Sequence, residues 1–300
     1  MPRKIPKISK LIEPYRIEHG KKFRLKDYDP ADTRVLDLKE EANQFLKEGI
    51  ERLNDMHQKL YAQDRWALLL IIQGMDSAGK DSAIRHVMSG VNPQGCQVYA
   101  FKKPSVEELS HDFLWRASKC LPRRGEIGIF NRSYYEEVLI VRVHAQLLRE
   151  ERLPQALITK KIWKERFEDI NAFEHYLTRN GTIVRKFFLH VSKEEQRRRF
   201  LKRTEDSKKN WKFSQDDVHE RGYWDDYMRA YQDMIRHTAT PRAPWYVVPA
   251  DQKWFTWMVV ASAIIETLES LKLSYPKMDA EKKKEVEQAR KMLIEEGVGS

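Results

Sequence analysis

A chain of 300 residues with 41% hydrophobic content can bury a full core, and one large α/β domain with appendages suits it better than two domains. Its formal charge of +10, from 55 lysines and arginines against 45 acidic residues, favours an anionic partner such as nucleic acid, a membrane surface or a phosphate polymer. Two cysteines, Cys96 and Cys120, are too few for a disulfide framework and fit no metal-knuckle spacing, so a reducing cytoplasm is the expected compartment.

Residues 1–33 are basic, contain Pro and Tyr without a clear period, and lack the apolar run of a secretory signal; they read as an arm lying on the body. Residues 36–61 read as a helix, with Leu46, Ile50, Leu53 and Met56 repeating at three- and four-residue spacing. The apolar run 66–72 reads as a buried strand, followed by a glycine loop and a helix over 81–88. After a turn at 90–95, a second strand is expected at 97–101, and Ser105 caps a helix with Glu107 and Glu108 in its first turn. A third strand at 126–130 ends in Asn131-Arg132-Ser133. A long helical section is expected over 134–177, with Pro154 opening its second part.

Gly181 breaks the chain before the most extended strand signal, 183–191. A very basic helix with a turn follows over 192–211, then a helix over 218–238, a short strand at 245–248 and a closing helix over 254–271. That closing segment holds Thr256 and Ser262 in its apolar stretch and stops at Glu266, too short to span a bilayer. The tail, 279–296, reads as a charged helix with few apolar anchors. Strands alternating with helices predict a parallel sheet covered by helices on both faces, with ligands at the carboxyl ends of the strands. The expected division is an arm at 1–33, one domain at 34–272 with a lid at about 193–214, and a tail at 273–300.

Gly74-Met75-Asp76-Ser77-Ala78-Gly79-Lys80 carries the chemistry. The spacing lets backbone N–H groups curl around phosphate oxygens while Lys80 adds a point charge. Gly74, Ser77, Ala78, Gly79, Lys80 and Ser82 are therefore the first phosphate-binding candidates. Asp81 stands where Ser or Thr usually binds Mg²⁺, and Asp76 lies inside the loop. Two carboxylates beside a phosphate cradle call for a bridging metal ion; the plainer alternative for Asp81 is an acid favoured at a helix N-terminus. Asn131 brings no charge but can accept a hydrogen bond or ligate weakly, and Arg132 can grip two phosphate oxygens. Tyr134, Glu136 and Glu137 follow at once and are candidates to meet a nucleotide in the same cleft.

The basic helix carries Arg197, Arg198, Arg199, Arg203, Lys208 and Lys212, with Arg199 and Arg203 four apart on one face. A charge run is often only a solvated face, but a phosphate site needs arginines to complete it, and such a helix can close as a lid. Lys102, Lys103 and Arg116 add charge near the second strand end. A mononucleotide needs few of these groups; a long polyanion would use the whole track.

The loop with Asp81, together with Phe101-Lys102-Lys103-Pro104-Ser105, His111 to Arg116, Phe130 to Tyr135, Glu194 to Phe200, Trp211 to Ser214 and Tyr223 to Tyr227, resembles the polyphosphate kinase 2 family over about residues 24–271. The resemblance implies a P-loop kinase fold similar to thymidylate kinase with a basic helical lid. It also implies reversible phosphoryl transfer from inorganic polyphosphate to nucleotides, with Mg²⁺, or Mn²⁺ in its stead. By position, Asp76 is the metal-binding and catalytic acid, with Asp81 and Asn131 as further ligand candidates. Lys80 is the loop lysine, and Arg132, Arg197, Arg198, Arg199 and Arg203 grip phosphate. Asn131 stands where many members have Asp. With Glu136 it resembles the subgroup that acts on both AMP and ADP, giving ADP and ATP. The resemblance further implies a homodimer or tetramer, with neither nucleic acid nor membrane as partner. Two other readings stay open on the residues: an NTP-dependent nucleoside or nucleotide kinase, and a non-catalytic polyanion-binding protein.

Overall fold

The structure is a computed structural model that describes residues 8–33, 39–208, 210–212 and 214–298, with the side chains of 39–43, 212 and 297–298 outside that description. Six strands form one sheet: β1 (Arg16–Ile17), β2 (Ala67–Gln73), β3 (Cys96–Ala100), β4 (Ile127–Asn131), β5 (Thr182–His190) and β6 (Trp245–Pro249). Their spatial order is β1-β6-β5-β2-β4-β3. All neighbours run parallel except β1, which pairs antiparallel with β6. The unbroken apolar run predicts a strand covered on both faces, and every residue of β2 is buried.

The α-helices are α1 (Ile8–Ile12), α2 (Lys39–Gln63), α3 (Lys80–Val87), α4 (Trp115–Ser118), α5 (Ile140–Val143) and α6 (Ile162–Arg179). They continue with α7 (Lys193–Glu205), α8 (Gln215–Glu220), α9 (Trp224–Thr238), α10 (Lys253–Ser270) and α11 (Ala280–Val298). Helix α10 is apolar almost all round and is enclosed by α1, α2 and α3, while α6 packs on β5 and against α9. This is the expected mostly parallel sheet clothed in helices.

Several local expectations change. Ser105 and Glu108 do make the reciprocal capping contacts, at 2.7 and 3.2 Å, but only a single 3₁₀ turn follows. The section 134–177 is not one continuous helical run: 3₁₀ turns at Tyr134–Val138, Ala145–Arg149 and Gln155–Leu157 surround the short α5 before α6 begins. The stretch 218–238 divides at a 3₁₀ turn, Arg221–Tyr223, which contains Gly222. Of the arm expected at 1–33, residues 8–33 are described: Leu11 and Ile12 are buried on the body and Arg16–Ile17 add the edge strand β1, while residues 1–7 lie outside the described residues.

The core holds a buried ion pair at the central strand β5. Lys186, in the middle of β5, is fully enclosed and donates to Glu174 at 2.6 Å, to the Thr238 carbonyl at 2.7 Å and to the Tyr135 hydroxyl at 3.1 Å. Burial pushes its ammonium below the ordinary lysine range, and Glu174 opposes that shift. Tyr134 and Tyr135 also donate to Glu174, at 2.9 and 2.7 Å, so one carboxylate anchors the segment leaving β4 to the core.

Gly20 fixes the arm. A Cβ there would run into the carbonyl oxygens of Ile235 and Arg236 at the end of α9. Gly20→Ala should lower stability by roughly 1–3 kcal/mol through overpacking, read as a shifted urea midpoint with an unchanged slope.

Candidate active site

The site forms where β2 and β4 end side by side. Ile72 is opposite Asn131 in the parallel ladder, so the loop that leaves β2 and the segment that leaves β4 emerge together. Gly79, with φ of 109°, takes the left-handed conformation that caps α3. In the site itself, Ser77 and Arg132 also adopt left-handed backbone, both at φ of 63°. Such conformations persist only where the surroundings hold them, and they gather at functional sites.

Lys80 is buried and folds back over the loop, donating to the Gly74 carbonyl at 2.6 Å and the Met75 carbonyl at 3.2 Å. Arg132 donates to Asp76 Oδ1 at 2.5 Å and lies 3.8 Å from Glu136. Burial would raise the Asp76 carboxyl, but Lys80 and Arg132, with Arg203 beyond them, hold it below its ordinary value. Burial keeps Glu136 above its own, against the pull of Arg132 and Lys80. The Gln73 amide lies 2.9 Å from Glu136 when its nitrogen faces the carboxylate. The cleft therefore gathers two cations and two carboxylates that balance one another. An arriving phosphate would compete with Asp76 and Glu136 for Arg132.

Asn131 Nδ2 donates to Asp81 Oδ1 at 2.7 Å, so these two predicted residues do meet. Among the described residues no three acidic, histidine or cysteine side chains come together as a closed metal cage. Asp76 and Asp81 nevertheless suit a Mg²⁺ ion shared with substrate, because that ion uses one or two carboxylates and completes its shell with phosphate oxygens and water.

The arginines of α7 divide by helical phase. Arg199 sends every donor into protein: Nη1 to the Ser77 and Ala78 carbonyls at 3.0 and 2.8 Å, Nη2 to the Ala250 and Asp251 carbonyls at 2.5 and 3.1 Å, and Nε to Glu195 at 2.7 Å. It holds the loop in place, where sequence had offered it as a phosphate ligand. Arg203 donates to Ser77 Oγ at 2.7 Å. Arg197 and Arg198 point to solvent and pair with Glu194 and Glu195. Lys102 and Lys208 are exposed, Lys103 lies 3.6 Å from Glu150, and the Lys212 side chain lies outside the described residues. Arg116 is buried, donating to the Lys102 carbonyl at 2.8 Å and lying over the Phe101 ring, so it supports the strand end.

Two nucleotide candidates turn inward. Tyr134 is buried with its hydroxyl on Glu174, and Glu137 pairs with Arg166 at 2.6 Å while Glu151 takes the other arm of that guanidinium. The 3₁₀ turn after Ser133 points these side chains at the core and leaves Glu136 facing Arg132. Gln196 carries no signal of its own in the sequence beside its arginine neighbours. Its amide donates to the Asp76 carbonyl at 2.9 Å and accepts from Arg221 at 2.6 Å, joining α7 to the loop.

The family model for polyphosphate kinase 2 matches residues 36–276. The chain belongs to that family. It is 50% identical over 281 residues, 93% of this chain and 97% of the relative, to an ADP-polyphosphate phosphotransferase of Rhodopseudomonas palustris. It is 40% identical to an AMP/ADP-polyphosphate phosphotransferase of Meiothermus ruber, covering 91% of this chain and 98% of that one. The crystal structure of polyphosphate kinase 2 from Arthrobacter aurescens superposes with a TM-score of 0.83 at 39% identity, over 94% of this chain and 98% of that chain. The P-loop kinase fold expected from the resemblance is thus the fold of this chain.

Two carboxylates, Glu137 and Glu151, share one guanidinium in this family member. Burial, reinforced by Glu151 and opposed by Arg166, pushes Glu137 up to about 8. The folded state then keeps a proton that the unfolded chain releases above about pH 4.3. This contribution to stability is full below that value and is lost as pH rises towards 8. Glu137→Gln should flatten the fall in stability between about pH 5 and 8, measured by urea unfolding across that range.

Proposed function

We propose that the protein transfers phosphoryl groups from inorganic polyphosphate to AMP and ADP. The observation that carries this reading is the Asp76–Arg132–Glu136 ion pairing beside Lys80, at the mouth of a glycine loop. The names borne by the relatives from Rhodopseudomonas palustris and Meiothermus ruber support polyphosphate as donor and adenine nucleotides as acceptors. Glu136 facing Arg132, with Asn131 on β4, supports the broader acceptor range.

Transfer of this kind needs little covalent chemistry from protein and much positioning and charge balance. Lys80 and the loop amides would cradle the donor's terminal phosphates. Arg132 would exchange Asp76 for phosphate oxygens in a bidentate grip. Asp76 and Asp81 would hold Mg²⁺, which when bound supplies neutralisation of the phosphate oxygens during in-line displacement. Arg203, with Ser77, would approach the chain from the lid side. Arg199 and Gln196 keep the loop shaped for that approach without touching the reacting groups. Exposed Arg197, Arg198, Lys102 and Lys208 offer a wider positive field for a long donor. No described helix is long and apolar enough to cross a membrane; we place the work in the cytoplasm on the cysteine usage.

Incubation with Mg²⁺, long-chain polyphosphate and either AMP or ADP, followed by chromatography of the nucleotides, tests the reading. ADP and ATP should appear from AMP, and ATP from ADP; product from ADP alone would remove AMP from the proposal. Asp76→Asn should cut turnover by roughly 10²-fold or more with the circular dichroism spectrum and unfolding midpoint retained. Near-normal rates in that variant would sink the assignment. Glu136→Ala should lower AMP use about tenfold more than ADP use, read as the ratio of the two kcat/KM values.

A further inference from the structure

Helix α8 follows the basic lid, and its two first-turn acids face differently. Asp216 is exposed, whereas the Asp217 side chain is only 22% exposed and lies 3.5 Å from Arg203 Nη1. At that separation the two charges pair without a good hydrogen bond. Arg199, one turn back on α7, meets Glu195 at 2.7 Å and spends its other donors on carbonyls. Arg203 is held more loosely, with Nη2 on Ser77 Oγ at 2.7 Å and Nη1 facing Asp217. Burial, and after it the charge of Asp76, push the Asp217 carboxyl above its ordinary value, while Arg203 and Arg132 pull the other way. Asp217 therefore looks into the same cleft as Asp76, from the lid side.

A carboxylate in that place acts against the charge that a phosphate polymer brings. An entering polyanion is attracted by Arg203 and repelled by Asp217, and neither charge is exposed enough to be fully screened. Arg203 cannot serve both, because the edge that would grip phosphate already faces the carboxylate. Helix α8 is tied down and cannot simply follow. Glu220 at its far end accepts from the Tyr227 hydroxyl at 2.7 Å and lies 3.0 Å from His144 Nε2. Arg221 just beyond donates to Gln196 at 2.6 Å and to the Lys193 carbonyl at 3.1 Å. Any exchange of partners is then made by the arginine side chain. We infer that Asp217 is the resting counter-ion of Arg203, held against it in the empty cleft and exchanged for phosphate oxygens when the donor binds. Asp217 is thus a positioning residue that keeps Arg203 aimed at the glycine loop and sets a ceiling on donor affinity. The inference rests on the reading of polyphosphate as donor.

Calorimetric titration of tripolyphosphate, with and without Mg²⁺, into the full chain and its variants tests this. Asp217→Asn should bind roughly three- to tenfold tighter than the parent protein in both conditions, with its circular dichroism spectrum retained. Asp216→Asn removes the same charge from the same helical turn and should bind as the parent does. Arg203→Gln should bind more weakly, and Asp217→Asn added to it should recover little of the gain, because the two effects are coupled. In turnover, Asp217→Asn should lower the KM for polyphosphate and leave the KM for ADP unchanged. Weaker binding by Asp217→Asn in the presence of Mg²⁺ would make the residue a metal ligand and overturn the inference. An equal gain from Asp216→Asn, or the full gain persisting without Arg203, would reduce it to general repulsion and overturn it too. A parent protein that binds tripolyphosphate but forms no nucleotide product from polyphosphate would sink the proposed function alone, since the titrations still decide the role of Asp217. Absence of tripolyphosphate binding by the parent would overturn both.

Discussion

One guanidinium organises this site. Arg199 has five N–H donors in a rigid fork, and they reach two carbonyls of the glycine loop, two carbonyls beyond β6 and a carboxylate of its own helix. Those carbonyls belong to segments far apart in sequence that would otherwise be free to separate. Charged hydrogen bonds to groups withdrawn from water are each worth more than neutral ones, and an orphaned carbonyl is costly. The loop can present its N–H groups outward because its carbonyl side is held from below. Lysine could not substitute, having one ammonium where four carbonyls must be met.

With the loop fixed, the cleft can hold opposed charges close together. Asp76, Glu136, Arg132 and Lys80 satisfy one another without substrate, so none of them is buried unpaired. On the proposed function, an anionic substrate would change partners within this group and would not create a new set of contacts. The segment carrying Arg132 is in turn anchored by Tyr134 and Tyr135 to Glu174 and by Glu137 to Arg166. These buried contacts hold Arg132 at its unusual left-handed backbone angle while its side chain pairs with Asp76 and Glu136 in the cleft.

Much of this could be read from the chain. A continuous apolar run before the glycine loop determines a strand covered on both faces, and the loop determines what lies at its end. Asn131 and Asp81 were legible as candidates for one site, and the pairing of β2 with β4 brings them together. What local sequence does not decide has a common cause. Tyr134, Glu136 and Glu137 are adjacent in sequence, and only the 3₁₀ turn after Ser133, fixed by a distant Glu174 and Arg166, decides which of them faces the cleft. The arginines of α7 were legible as a group, and the helical period placed Arg199 with Arg203. Nothing local reveals that Arg199 would meet carbonyls near residue 250, because that contact depends on how β6 ends. Gln196 was hidden for the same reason.

The arginines divide into those bound into protein around the loop, such as Arg199, and those proposed to meet substrate, such as Arg132. Calorimetric titration of Mg²⁺-tripolyphosphate into Arg132→Lys and Arg199→Lys, alongside their thermal unfolding, measures that division directly. Arg132→Lys should bind about tenfold or more weakly at an unchanged unfolding temperature. Arg199→Lys should unfold several degrees earlier, with whatever binding it loses accompanying that loss of structure. Weakened binding by Arg199→Lys at full stability, with Arg132→Lys indistinguishable from the parent protein, would contradict it.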